Sequence, residues 1–253
     1  MQEFNYKKVA KEIGWNFTKL NIQTEQDVNF NYYEEVAKNI NENTVMLDIG
    51  CGSADKSSIY FKNAKKIIQI DIEEEMLKKA KANVIKNAEK DAYKFELGIG
   101  NGYEKLPYQN QTFDLVVSRH CGANMQEVFR VLKKGGKFIS QDIDKYDCWA
   151  LKQMFKRGQN YNRKKTIKQK TIDKCLSLNF QKVELLNIKQ TEYYKTKEDL
   201  IYLLERTPIL NEFDLTKDEA ILNKYIEKYS TNKGIQLNRC LYAIKLVKKR
   251  RDY

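Results

Sequence analysis

Residues 45–55, VMLDIGCGSAD, join an apolar run, an acid at Asp48, and two glycines, Gly50 and Gly52, flanking Cys51. Glycines at such a turn let backbone approach a ligand closely and take φ values closed to other residues. If the run is a strand of a parallel sheet, the turn lies at its carboxyl end, where such sheets bind ligands. A second apolar run, KKIIQIDI (65–72), ends in Asp71, nineteen residues after Gly52. An acid there can accept both hydroxyls of a ribose. Asp55 stands where a dinucleotide loop would carry its third glycine, which points away from NAD and towards a nucleoside ligand without a pyrophosphate. The sole histidine, His120, follows another apolar run in SRHCGAN (118–124). An imidazole with an ordinary pKa of about 6.5 suits a general base. Gln141, in a later run, is a second polar residue suited to acceptor contact.

These residues need a frame that gathers strand ends on one side. VMLDI (45–49), KKIIQIDI (65–72), YKFELG (93–98), TFDLVVS (112–118) and KFISQDI (137–143) read as strands. Helical spacing marks 33–41, 54–64, 73–87 and 124–134, the last stopped by Gly135-Gly136. Strand–helix alternation implies a parallel sheet with helices on both faces. After residue 145 the pattern changes. Helices are expected at 147–157 and 166–177, and a strand at 181–194. A helix opened by the capping signal TKED (196–199) ends before Pro208, a second spans 216–230, and a last strand covers 239–247. Residues 1–145 therefore form the ligand-binding core with its N-terminal segment. Residues 146–253 complete the same domain, with a helical lid at about 195–235.

LDIGCGSAD, IQIDIEEEMLKKAK, LPYQNQTFDLVVSRH and EVFRVLKKGGKFISQDI together resemble the successive motifs of class I S-adenosylmethionine-dependent methyltransferases of the type 11 kind, including a bacterial subgroup of undefined substrate. The likeness covers about residues 28–144. It implies a Rossmann-like, seven-stranded, mostly parallel sheet with a helical insertion between the last two strands. It implies S-adenosyl-L-methionine as cofactor and S-adenosyl-L-homocysteine as product. By the same resemblance, Asp48 supports the loop and meets the methionine ammonium, while Gly50, Cys51 and Gly52 pass beside methionine and ribose. Asp71 holds the ribose hydroxyls, Ile72 and Met76 flank the adenine, and Ser118 and Arg119 border the methionine end and the acceptor. Tyr32 or Tyr33, with Trp15 and Phe17, are candidates for an N-terminal lid. One departure stands out. Gly102 falls where the family often has an aspartate that bonds the adenine amino group. Asn101 is the substitute if the loop shifts by one residue, and Tyr103 is placed to stack on the base.

The formal charge is +12, and all of the excess lies in two stretches. Residues 151–170 carry eight Lys or Arg and no acid, residues 245–253 carry five against one, and the rest balances 33 against 33. Local basic stretches suit an anionic partner. The five cysteines are scattered without CxxC spacing, so no metal site or disulfide framework is expected. No apolar run is long enough for a membrane span, and the N-terminus lacks a secretory core, which suits a cytoplasmic protein. The leading reading is methyl transfer to a small-molecule acceptor, with an acidic acceptor among the options. The second is methylation of RNA bases, with 151–170 as the binding stretch and Phe155 and Tyr161 available for stacking. The third is a non-catalytic nucleoside-binding protein.

Overall fold

The computed structural model describes residues 4–249. An N-terminal segment holds α1 (Tyr6–Glu12), β1 (Ile22–Gln26) and α2 (Tyr32–Ala37). The core follows as β2 (Val45–Ile49), α3 (Ser57–Tyr60), β3 (Lys66–Asp71), α4 (Glu74–Ala88), β4 (Phe95–Ile99), β5 (Phe113–Arg119), α5 (Met125–Val131) and β6 (Leu132–Ile143). Beyond it come α6 (Trp149–Phe155), α7 (Ile167–Ser177), β7 (Phe180–Tyr194), α8 (Lys197–Glu205), α9 (Leu215–Tyr229), β8 (Ser230–Thr231) and β9 (Gly234–Lys248).

The strands form one sheet in the order β1-β7-β9-β6-β5-β2-β3-β4, with β8 paired to β9. β4, β3, β2, β5 and β6 pair in parallel, and β9 runs antiparallel between β6 and β7. β2 is apolar on both faces, as a strand covered from both sides must be. Leu47 and Ile49 face the layer of α5 and α7, and Met46 faces that of α2 and α3. The carboxyl ends of β2, β3, β5 and β6 therefore open on one edge, which brings Asp48, Asp71, His120 and Gln141 together.

Four details depart from the sequence expectations. The sheet has nine strands rather than seven. The added ones are the two-residue β8 and the edge strand β1, which pairs in register with Tyr194 to Gln190 of β7. The helix expected over 54–64 shrinks to the four residues of α3. Ala54 takes a left-handed φ of 51°, and Ser57 is drawn inward to Gln69 at 2.8 Å. Gly135 and Gly136 do not stop a helix. α5 ends at Val131, and the glycines lie inside β6, where the register against β5 shifts between Phe113 and Leu115. Lys133 binds both oxygens of Asp114 at 2.9 Å there, and a Cβ on Gly136 would crowd the carbonyls of Lys133 and Asp114. The last strand begins at Gly234, five residues earlier than expected.

α8 starts as TKED suggested, with the Thr196 hydroxyl accepting from Asp199 N at 3.1 Å. The box is not reciprocal. The Asp199 carboxylate takes the Thr196 hydroxyl and Asn21 N instead of reaching back to the cap's own N–H. α8 and α9 pack with α6 around Leu151, Leu200, Leu204, Leu222 and Tyr225, a second core beside the sheet.

Candidate functional site

The loop after β2 is folded tightly onto the end of β3. Gly50 N and Cys51 N both donate to Ile70 O, at 2.8 and 3.0 Å. Gly50 and Gly52 have φ of +72° and +58°, left-handed values that favour glycine. A Cβ on Gly50 would collide with Cys121 of the loop after β5. Cys121, one of the five scattered cysteines, thus sets how closely the two loops approach. Asp71 secures the same turn: its two carboxylate oxygens accept from Gly52 N and Glu73 N, both at 2.9 Å. Each oxygen keeps a further lone pair for a ligand hydroxyl. Burial raises the Asp71 pKa, and these backbone donors oppose the rise.

Asp48 is only 5% exposed. Gln69 Nε2 donates to it at 2.9 Å, yet burial dominates and pushes its pKa up to about 7. Gln69 Nε2 also serves Ser57, while the buried Gln69 Oε1 has no partner among the described residues. Sequence reading missed Gln69 because a glutamine inside an apolar run gives no signal of what it faces.

At the ends of β5 and β6, Ser118 is buried and its hydroxyl donates to Cys121 O, so it shapes the loop. The Arg119 guanidinium lies 5.5 Å from the Tyr33 ring centroid. His120 has a φ of +54°, and its N–H donates to Gln141 O at 2.9 Å. Its Nε2 is 3.1 Å from Gln141 Nε2. With the amide donating, the ring is neutral and carries its proton on Nδ1; turning the amide by 180° exchanges the tautomer. His120 is solvent-accessible but enclosed by protein on its other sides. That enclosure, with the Arg119 and Arg239 charges, holds its pKa well below the ordinary value. On the opposite face of β6, burial pushes the Asp142 pKa up to about 6. Alternation along SQDID puts Asp142 on the other face from Gln141, which is the signal that could have found it.

Met76 is buried, with its Cε close beneath Gly52. Ile72 is 60% exposed and neighbours the equally exposed Ile99, the register partner of Asp71. Asn101 turns back on its own loop: Oδ1 accepts from Tyr103 N at 3.0 Å and Nδ2 donates to Glu104 at 3.0 Å. Gly102 is wedged between Ile49 and Gly122 O, and its carbonyl accepts from Asn124 N at 2.7 Å. No side chain fits at that position, so the aspartate common in the family has no room here. Tyr103, 68% exposed, lies over Gly122, where a Cβ would coincide with its hydroxyl.

Asp48, Asp71 and Asp142 pair with no lysine or arginine among the described residues. A cradle of close backbone with three uncompensated acids fits a cationic nucleoside such as S-adenosylmethionine, with its sulfonium and ammonium. Among the described residues no group of three or more His, Cys, Asp or Glu could hold a metal ion. None of the described helices is long and apolar enough to cross a membrane.

Trp15 and Phe17 join a chain of rings from Phe4 through Trp15 (6.2 Å) and Phe17 (6.5 Å) to Tyr202 of α8 (6.4 Å). Lys79 of α4 donates to Ala10 O at 2.6 Å and Lys11 O at 3.2 Å. The N-terminal segment is thus tied to both the cofactor half and the second core.

Comparison with known proteins agrees with this geometry. Residues 40–207 match the family described as "Methyltransferase domain". Demethylmenaquinone methyltransferase of Leptospira interrogans is 30% identical over 155 residues, 56% of this chain and 59% of that protein. An uncharacterized protein of Methanocaldococcus jannaschii is 32% identical over 176 residues, 65% of this chain and 61% of that one. The chain thus spans about three fifths of the length of these relatives. In fold it is similar to a functionally unknown protein of Deinococcus radiodurans R1, at 15% identity and a TM-score of 0.62 over 96% of this chain and 98% of that one. It is also similar to a putative methyltransferase of Bacillus halodurans C-125, at 19% identity and a TM-score of 0.61 over 86% and 97%. With the family matched over residues 40–207, about two thirds of the chain, and the sheet order and glycine cradle in place, the chain belongs to the methyltransferase-domain family.

Proposed function

We propose that the chain transfers the methyl group of S-adenosylmethionine to a small-molecule acceptor held beyond the ends of β5 and β6. The observation that carries the reading is the convergence around Tyr103. Its phenol lies within the electrostatic reach of Cys121, Asp142, Tyr6 and Arg163, which come from four further segments. Tyr103 itself is 68% exposed, so an acceptor can reach its ring from solvent beside the strand ends. The name of the Leptospira relative supports a small-molecule acceptor.

In this reading Gly50 and Gly52 admit the cofactor, Asp71 takes the ribose hydroxyls on its free lone pairs, and Asp48 meets the ammonium. The bound cofactor supplies a methyl group activated by its sulfonium. The chain aligns the acceptor and excludes water, and positioning of this kind is worth about 7–11 kcal/mol. An acceptor that must lose a proton has two groups nearby, neutral His120 and Asp142. Each lies on its own face of the sheet end, so the acceptor's position decides between them.

The test incubates the protein with radiolabelled S-adenosylmethionine and host lysate, then separates RNA, protein and small molecules before counting. Label among small molecules is expected; label in RNA or protein would overturn the acceptor class. With the acceptor in hand, His120→Ala and Asp142→Asn are compared. Loss of turnover with unchanged S-adenosylhomocysteine affinity identifies the proton acceptor, and unchanged turnover in both removes His120 and Asp142 from the mechanism.

A further inference from the structure

The basic stretch 151–170 divides once its side chains are placed. Lys152 is buried, Arg157 pairs with Asp218 at 2.5 Å, and Lys168 pairs with Asp144 at 2.6 Å. Arg163, Lys164 and Lys165 are exposed, and no acid forms an ion pair with them among the described residues. Two residues before Arg163, Tyr161 ends a ladder of rings. Tyr146 meets Trp149 edge-on at 5.2 Å, and Trp149 tilts against Tyr161 at 5.3 Å. Lys145 Nζ sits 5.7 Å from the Tyr146 ring and 5.8 Å from that of Trp149. Tyr146 is half exposed, and Trp149 and Tyr161 are partly so.

In the other basic stretch, Lys245 and Lys248 are engaged inside the fold. Lys245 pairs with Glu35 at 2.9 Å, and Lys248 donates to the carbonyls of Phe129 and Leu132. The tail from residue 250 lies outside the described residues. Among the described residues, Lys145 and Arg163 to Lys165 are the unpaired cations that flank these rings in the sequence. Arg163 reaches far enough to act on Tyr103 at the cofactor cleft.

We propose that the face formed by Lys145, Tyr146, Trp149, Tyr161 and Arg163 to Lys165 is a docking surface for single-stranded nucleic acid. One small anion needs one or two cations. Four cations without an ion pair among the described residues, together with three rings, match a run of phosphates and bases, because cations track the backbone while rings stack on any base. A duplex hides its base faces and offers the rings nothing. The inference does not depend on which molecule receives the methyl group.

The test is anisotropy of a fluorescein-labelled uridine oligomer of about 12 nucleotides, a length within the range such surfaces cover. Saturable binding at about 50 mM salt should weaken towards 200 mM, with a log–log slope near 0.7 per phosphate contacted. The triple variant Lys145→Ala, Lys164→Ala, Lys165→Ala should reduce that slope by about 2. Tyr146→Leu keeps every cation; it should cost about tenfold in affinity and leave the slope intact. Both variants should bind S-adenosylhomocysteine as the wild type does, which shows that they fold. Three results would overturn the proposal: no binding at low salt, an unchanged slope in the triple variant, or a uridine–adenine duplex bound as tightly as the single strand with Tyr146→Leu silent.

Discussion

The two halves of the molecule treat buried charge in opposite ways. In the second core, Arg239 is held between Asp147 at 2.9 Å and Glu192 at 3.2 Å. Burial opposes its charge, but the two acids more than restore it. Asp147 also accepts from Cys240 N, and Glu192 accepts from the Tyr194 hydroxyl. At the glycine cradle, Asp48, Asp71 and Asp142 have hydrogen-bond donors but, among the described residues, no cation, and burial raises the pKa of each. The first pattern is complete in itself. The second leaves negative charge undersupplied, which costs stability unless a cation arrives from outside the chain. Lys152 is the exception in the second core, a buried base whose pKa burial pushes down.

The sharpest way to break this contrast is Arg239→Ala. Removing one partner of a buried charge network strands the others, typically at about 3–5 kcal/mol. Urea unfolding should show a loss of that order, with S-adenosylhomocysteine affinity kept in the folded fraction. A loss below about 1 kcal/mol, the scale of a surface pair, would mean that the network is not structural. Asp71→Ala is next and should act in the opposite sense. It strips Gly52 N and Glu73 N of their acceptor, and each buried unmet donor costs about 1–3 kcal/mol. Calorimetric affinity for S-adenosylhomocysteine should fall by about a hundredfold, or about 2.7 kcal/mol, where Arg239→Ala leaves it unchanged.

Asp48 gives a smaller effect with a defined sign. Its folded pKa of about 7 lies above the ordinary carboxylate value, so the folded state binds more protons than the unfolded one between those values. Its stabilising contribution is therefore full at low pH and is lost as pH rises through about 7. Asp48→Asn can still accept from Gln69, and it should flatten the fall in stability between about pH 4 and 7 measured by urea titration. A parallel decline in both proteins would remove Asp48 from the comparison. In the wild type, binding the cationic cofactor near pH 7 should release a proton, seen as a dependence of binding enthalpy on buffer ionisation.

How much of this was readable in advance depended on whether a residue acts through its own local pattern. The five core strands, the cradle glycines and Asp71 follow from period, punctuation and spacing, and the sheet forms around them. β1 was illegible because IQTEQ is an edge strand with almost every side chain in water, so no alternation marks it. Gly135-Gly136 looks like a helix stop in one dimension; only the neighbouring Asp114 strand turns it into an irregularity within β6. Gln69, Cys121 and Asp142 join the site through partners 21 or more residues away or through the face they occupy. The split of the 151–170 cations into paired and unpaired depended likewise on Asp144 and Asp218, contacts that only the folded chain supplies.

The smallest effect concerns how the two halves communicate. Phe17 meets Tyr202 edge-on at 6.4 Å, the one ring contact described between the N-terminal segment and α8. Such pairs are worth about 0.5–1.5 kcal/mol beyond buried area. A double-mutant cycle of Phe17→Leu and Tyr202→Leu should return a coupling in that range without ligand. Lys79 ties the same segment to α4, beside the cradle. If the segment straps the cofactor half to the second core, saturating S-adenosylhomocysteine should increase the coupling, because a filled cradle fixes α4 and with it the segment's other end. Equal coupling with and without ligand would make Phe17 ordinary packing and leave the two halves energetically independent.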